Sequence, residues 1–307
     1  MNRILSPAFE ADLSSGALAN LLQYVHSDFT LDLEIRSNYI NIYYSGGNIL
    51  KVSKANGRYE FEFNQQYFNS KKLHTAVALK SFMQQRDWYS YFPMAKQAMD
   101  FYFTKHKKEE REFQQLFIRE NNYSGIANST DYFIIDIEYE FGPNARFDLI
   151  GVEWHSEATK RKLQKNYQPK LVIFEMKYGD DALKGSSGMA KHLNDFKNLV
   201  TNPVKVADFK NEMLELLEQK RRLNLIPCLS SSGNANAIKS FAPEIDLVFL
   251  IVNHDPASTR LQAELSTLTE PEVKFSAANF MGYGLYHQNV YKLSDFQSRF
   301  KGQIFNP

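Results

Sequence analysis

The stretch Lys170-Leu-Val-Ile-Phe-Glu-Met-Lys-Tyr178 decides how this 307-residue chain is read. It opens as an unbroken apolar run, Leu171 to Phe174, and closes on Glu175 and Lys177. Side chains alternate across a strand, so Leu171, Ile173, Glu175 and Lys177 share one face while Val172, Phe174, Met176 and Tyr178 share the other. Both faces are apolar at the start, the pattern of a central strand covered on both sides. Burying the charged end is costly unless the charges are paired or hold an ion. Taken alone, a Glu-x-Lys at a strand end reads equally well as solvent-facing surface. A second stretch shifts the balance.

Upstream lies Ala145-Arg-Phe-Asp-Leu-Ile-Gly-Val152, another apolar run with Asp148 inside it. Asp148 shares a face with Ile150 and Val152, and Phe147 and Leu149 point the other way. No local partner for Asp148 is evident in the sequence. If the two strands pair, Asp148 and Glu175 converge, with Lys177 one pleat beyond. Two acids and a lysine so placed can hold Mg²⁺ or Mn²⁺ and bind a phosphate.

This arrangement resembles the core of the PD-(D/E)xK phosphodiesterase superfamily, the restriction-endonuclease-like nucleases. Asp148 matches the first acid, Glu175 the second and Lys177 the lysine, and the likeness covers roughly residues 105–252. Phe147 stands where the name-giving proline would be, with Pro143 just upstream. The resemblance implies an α/β fold: a helix, three strands, helices and a strand, forming a central mixed sheet flanked by helices. It implies catalysis by Asp148, Glu175 and Lys177, with Mg²⁺ (or Mn²⁺) held by Asp148, Glu175 and the backbone carbonyl of Met176. It also points to an additional glutamate on the first core helix, for which Glu109 and Glu112 are the candidates and spacing slightly favours Glu112. Some branches carry Gln-Leu-x-x-Tyr on the helix after the lysine. Here the chain reads His192-Leu-Asn-Asp-Phe196, so His192 stands for the glutamine as a phosphate contact or, equally, as a core histidine.

The order of elements follows from periodicity alone. Residues 30–64 alternate as antiparallel strands with turns at Gly46-Gly47 and Asn56-Gly57. A helical stretch follows, from about Lys71 to Phe103. We read 1–103 as a β-rich, then helical, accessory domain and 104–307 as the nuclease-like domain. Lys105 to Glu120 is a charged helix with Phe113, Leu116 and Phe117 on one face. Asp131 to Glu140 reads as a strand forming a hairpin with the Asp148 strand. Asp136 and Glu138 lie on one of its faces, as solvated side chains or as further metal ligands. After the Glu175 strand come two helices, with apolar faces Met189, Leu193, Phe196, Val200 and Val206, Phe209, Met213, Leu216, Leu217, and then a buried strand, Ile245 to Val252. The aromatics beyond Val273 read as structural.

Composition narrows the class. Hydrophobic residues make up 43% and charged residues 23%, a globular balance. One cysteine, Cys228, excludes an internal disulfide and a cysteine-based zinc cluster. No basic, apolar and cleavable leader opens the sequence and no apolar run approaches the ~20 residues of a spanning helix, so a cytoplasmic location away from membranes is expected. Net charge is only +1, so a nucleic-acid surface must be local. Lys160, Arg161, Lys162 and Lys165, between the two motif strands, are the candidates for phosphate contact. A second cluster, Lys220-Arg221-Arg222, reads as solvated surface at a helix end. No Gly-x-x-x-x-Gly-Lys-Ser/Thr loop is present.

The expected function is a metal-dependent phosphodiester hydrolase acting on DNA, with a homodimer compatible with that reading. The alternatives are a non-catalytic nucleic-acid-binding or interaction protein retaining the fold, and an unrelated α/β protein in which the acids are incidental.

Overall fold

A computed structural model describes residues 3–68, 73–123, 130–142, 145–154, 168–185, 188–230, 238–255, 258–278 and 282–301. The chain forms two compact units, Met1–Arg119 with Glu215–Ser230, and Glu120–Leu214 with Ser231–Pro307. The sequence reading placed its boundary at 103/104. In the structure the first unit runs to Arg119 and takes in a later segment as well.

The first unit begins with helices α1 (Pro7–Ser14) and α2 (Ala19–Ser27). An antiparallel sheet follows in the order β1 (Asp32–Arg36), β2 (Tyr39–Tyr44), β3 (Gly47–Ala55), β4 (Arg58–Glu62). The turns carry the left-handed residues that tight hairpins require. Asn56 and Gly57 have φ of 50° and 75°, as the Asn-Gly pair predicts. The other turn is Ser45-Gly46, at φ 44° and 75°, rather than Gly46-Gly47. Gly47 opens β3, where a Cβ would meet the Tyr67 hydroxyl at 2.5 Å and the Met99 methyl at 2.6 Å. Helices α3 (Leu73–Gln85), α4 (Trp88–Phe103) and α5 (Glu109–Ile118) complete the first stretch. On α4, Trp88, Tyr91, Phe92, Ala95 and Met99 are buried, and the Tyr91 hydroxyl donates to the Ile49 carbonyl. On α5, Phe113 and Phe117 are buried as the spacing predicts, joined by Gln114 and Gln115.

In the Lys220-Arg221-Arg222 cluster, read as solvated surface, Lys220 departs from that reading, while Arg221 and Arg222 keep partly exposed side chains. Lys220 is buried, its Nζ 2.7 Å from Glu34 Oε1 in the middle of β1. Arg222 forks onto Glu10, and Arg221 pairs with Glu218 one turn back. Gln219 completes this end of the helix, accepting the Leu5 N–H and donating to the Leu5 carbonyl, both at 2.8 Å.

The second unit is built on a six-stranded mixed sheet, flanked by helices, in the order β10-β9-β8-β7-β6-β5. β5 (Tyr132–Glu140), β6 (Arg146–Glu153) and β7 (Leu171–Tyr178) form an antiparallel meander. Helices α6 (Met189–Val200) and α7 (Pro203–Arg222) then carry the chain to β8 (Ile245–Val252), which pairs parallel with β7. The last residues of α7 fall within the first unit. Helix α8 (Thr259–Thr267) leads to β9 (Lys274–Ala278), parallel to β8, and β10 (Tyr291–Lys292) and α9 (Leu293–Lys301) close the unit. The strands β9, Lys-Phe-Ser-Ala-Ala, and β10, Tyr-Lys, were not distinguished in the sequence, because both are too short to show a clean period. The buried residues of α6 are Met189, Leu193, Phe196 and Leu199, the last replacing the expected Val200.

One irregularity sets the faces of this sheet. β5 and β6 pair Ile134↔Gly151 and then Asp136↔Ile150, so Ile135 is an extra, bulged residue. A bulge reverses the alternation beyond it. Tyr132 and Ile134 lie over Gly151 on one face, whereas Asp136, opposite Ile150, lies on the other. On the Tyr132 face, Phe174 packs edge-on against Tyr132. Gly151 leaves room for it: a Cβ there would sit 2.7 Å from Phe174 Cε2 and 2.8 Å from the Phe133 carbonyl oxygen.

Candidate functional site

The register of β6 on β7 explains how the acids meet. Backbone pairing runs from Val152↔Leu171 to Leu149↔Phe174 and stops. Ile150 opposes Ile173, so the next residues on that face, Asp148 and Glu175, fall side by side. The ladder is continued by a side chain: Asp148 Oδ2 accepts the Met176 N–H at 2.8 Å. Glu175 and Lys177 follow at successive same-face positions of β7, with Lys177 Nζ 3.8 Å from Glu175 Oε2. From α6, His192 brings Nδ1 to 2.9 Å from the same oxygen.

The three strand residues are buried and His192 is partly so. Glu175 is 0% exposed, Lys177 2% and Asp148 5%. The apolar start of β7 and the buried Met189, Leu193 and Phe196 of α6 explain why a site so rich in charge is closed off. Burial, and after it the Glu175 charge, pushes the Asp148 carboxyl up to about 7, against the pull of Lys177, the Met176 N–H and His192. Burial, and after it the Lys177 charge, pushes the His192 imidazole down to about 4, so the ring is neutral near pH 7.

The structure thus gathers Asp148, Glu175, Lys177 and His192. It also bears on Met176: in an extended strand the N–H and C=O of one residue face the same edge. Because the Met176 N–H is turned to Asp148, its carbonyl faces the β6 edge too. The N–H contact itself was missed in the sequence, although Met176, between the two motif residues, was already a candidate through its carbonyl.

The remaining candidates are placed differently. Asp136 shares the acidic face only because of the bulge, and its Oδ1 accepts the N–H of the following residue, Ile137, at 2.9 Å. Glu138 has φ of 50° and directs Oε1 toward Arg146, 3.8 Å away. Glu109 and Glu112 belong to α5 of the first unit, where Glu109 pairs with Lys107 at 3.5 Å. Lys160, Arg161, Lys162 and Lys165 lie outside the described residues.

Among the described residues, no group of three or more His, Cys, Asp or Glu side chains is arranged to hold a metal ion. The oxygen donors at this site are two carboxylates and a backbone carbonyl. That set fits Mg²⁺, which takes one or two carboxylates and keeps several waters, better than a cation needing a full protein cage. No helix among the described residues is long and apolar enough to cross a membrane. Comparison with family models, curated proteins and solved structures gives no match to this chain.

Proposed function

We propose that the second unit is a metal-dependent phosphodiesterase, a nuclease acting on DNA, built on a restriction-endonuclease-like core. The observation that carries this reading is the convergence of Asp148, Glu175 and Lys177 on one face at the junction of β6 and β7. The element order supports it: an antiparallel meander, two helices and a parallel strand beside β7.

In this reading Asp148, Glu175 and the Met176 carbonyl hold Mg²⁺ or Mn²⁺. Such an ion supplies Lewis acidity toward a phosphodiester and a lowered pKa for its water. A buried Asp148 whose proton affinity is raised by burial and by the Glu175 charge beside it has a direct use for a cation, which favours the charged form. Lys177 places its ammonium beside them, where it stabilises charge building on the phosphate oxygens. The Lys160–Lys165 segment would add phosphate contacts that position the substrate.

A second reading is a nucleic-acid-binding protein that retains this fold and does not cleave. It is favoured by the burial of the site, since a phosphodiester must reach side chains that are 0–5% exposed.

The test is cleavage of linear, circular and single-stranded DNA with Mg²⁺ or Mn²⁺. Asp148→Asn and Glu175→Gln should each abolish cleavage while circular dichroism shows an intact fold. Full activity in either variant, or activity undiminished by EDTA, contradicts the metal site. DNA binding without cleavage under any divalent metal makes the second reading the better one.

A further inference from the structure

We infer that Arg146 is a phosphate-binding residue at the mouth of this site: its guanidinium exchanges Glu138 for a backbone phosphate of the nucleic acid as the strand enters. The inference rests on the reading of Asp148 and Glu175 as the acids of a nuclease, and it adds a residue that the acid, acid and lysine motif does not contain.

The placement follows from the two strands. Arg146-Phe-Asp148 is the reverse of Glu175-Met-Lys177: in each, a cation stands two residues from an acid. Residues two apart on a strand share a face. β6 and β7 run antiparallel, so the step back from Asp148 to Arg146 and the step forward from Glu175 to Lys177 lead the same way. Two neighbouring acids are therefore followed, on one face and in one direction, by two cations. These differ in exposure. Lys177 is 2% exposed, whereas the Arg146 side chain is 50% exposed. β6 is buried from Phe147 to Val152, and Arg146 is the exposed residue that opens it. A phosphodiester that approaches the buried acids along this face meets the guanidinium first.

The present partner of Arg146 is loosely engaged. Its Nη1 stands 3.8 Å from Glu138 Oε1, beyond the ~2.7–2.9 Å of a charge-assisted hydrogen bond. Ion pairs of this exposure contribute little, so exchanging one for a phosphate costs little. Glu138 lies between the pairs Ile137↔Leu149 and Tyr139↔Phe147, which sets it across from Asp148. Its φ of 50° departs from strand geometry, and its carboxylate is directed to Arg146. Strained backbone of this kind collects at ligand sites. Arginine also suits the ligand, because its planar fork of N–H donors matches two phosphate oxygens at once.

The experiment is fluorescence anisotropy of the whole chain on a short labelled DNA duplex, over a series of salt concentrations. Binding is compared on the Glu175→Gln background, which the metal-site reading makes inactive, so the duplex stays whole. Added Arg146→Ala should weaken binding by about 10–100-fold, the scale of a charged hydrogen-bonding group. It should also lower the log–log salt slope by about 0.9, as one lost duplex phosphate contact does. Arg146→Lys should keep the slope and lose part of the affinity. Glu138→Gln should tighten binding, and that gain should vanish when it is combined with Arg146→Ala. If Arg146 only braces Glu138, the two single variants lose thermal stability alike and leave affinity and slope unchanged, which would overturn the inference. A Glu138→Gln gain that persists in the double variant is a general charge effect and would overturn the exchange. Unchanged binding in Arg146→Ala, with Glu175→Gln unable to cleave, overturns the inference and leaves the metal site standing. Glu175→Gln that cleaves as wild type does, or a wild type that binds no duplex, removes both.

Discussion

The Asp148 carboxylate accepts the Met176 N–H at 2.8 Å, where the backbone ladder between their strands has just ended. A side chain thus does the work of a main-chain carbonyl, and it fixes Asp148 beside Glu175 without any help from solvent. This contact makes Asp148→Asn the appropriate variant for testing the acid, because the amide oxygen can still accept that N–H. Asp148→Ala leaves a buried donor unsatisfied, with an added cost of about 1–3 kcal/mol.

The protonation of Asp148 should be visible in stability. Its folded value, about 7, lies above the ordinary 3.8, so the folded state holds the proton more tightly than the unfolded state. Its effect therefore lowers stability as pH rises from about 4 through about 7. His192, pushed down to about 4, acts in the opposite sense and loses stability as pH falls from 6.5 toward 4. The two offset below 6.5, which makes the difference between wild type and Asp148→Asn the clean quantity. In metal-free buffer, Asp148→Asn should gain on wild type as pH rises from 6 to 8, measured by urea unfolding. Saturating Mn²⁺ should close that gap. A difference that does not change with pH would contradict the raised value.

Lys177 separates chemistry from binding. It is buried beside Glu175 yet offers no lone pair to a cation. Lys177→Ala should leave Mn²⁺ binding and most DNA affinity in place while the cleavage rate falls by roughly 10²-fold or more, the scale of one lost transition-state donor. Turnover preserved at saturating substrate, with weakened binding, would make it a docking residue.

Gly151 should tolerate no side chain. Gly151→Ala puts a methyl 2.7 Å from Phe174 Cε2 and 2.8 Å from the Phe133 carbonyl oxygen, short of ordinary contact distance, on the sheet face away from the acids. Overpacking of this kind costs about 1–3 kcal/mol, to be read as a lowered urea midpoint with an unchanged slope. An unaltered midpoint would mean that Phe174 has room to move.

In the first unit, the buried Lys220–Glu34 pair predicts an asymmetry between neighbouring residues. Lys220→Met strands the Glu34 charge in the core and should destabilise by about 3–5 kcal/mol. Arg222→Met removes a half-exposed partner of Glu10 and should cost about 1 kcal/mol or less. Equal effects would argue that Glu34 is compensated by its other neighbours, Arg36 among them.

Much of the second unit was legible in the sequence because apolar runs and turn residues agree along it. The strands around Asp148 and Glu175, their hairpin partner and the two following helices all emerge from period and length. The meeting of Asp148 with Glu175 followed from alternation on the condition that the two strands pair, which they do. What stayed hidden depends on contacts distant in sequence or on broken periods. The bulge at Ile135 turns Asp136 to the acidic face, yet nothing in Tyr-Phe-Ile-Ile-Asp marks which isoleucine is extra. Lys220 looked like surface because a lysine in a basic run at a helix end usually is, and its partner Glu34 is 186 residues away. His192 was placed on the inner face by helical spacing, but its partner could come only from the packing of α6 on β7.

The return of residues 215–230 to the first unit has a consequence for how the protein is made. A chain leaving the ribosome delivers Glu34, Leu5 and Glu10 early, but their partners Lys220, Gln219 and Arg222 only after the whole of 120–214 has emerged. At about 5–20 residues per second that interval is on the order of ten seconds. Throughout it, the first-made part of the polypeptide lacks Lys220 for Glu34 and Gln219 for Leu5, so the unit started first cannot be completed until 120–214 of the second has been made.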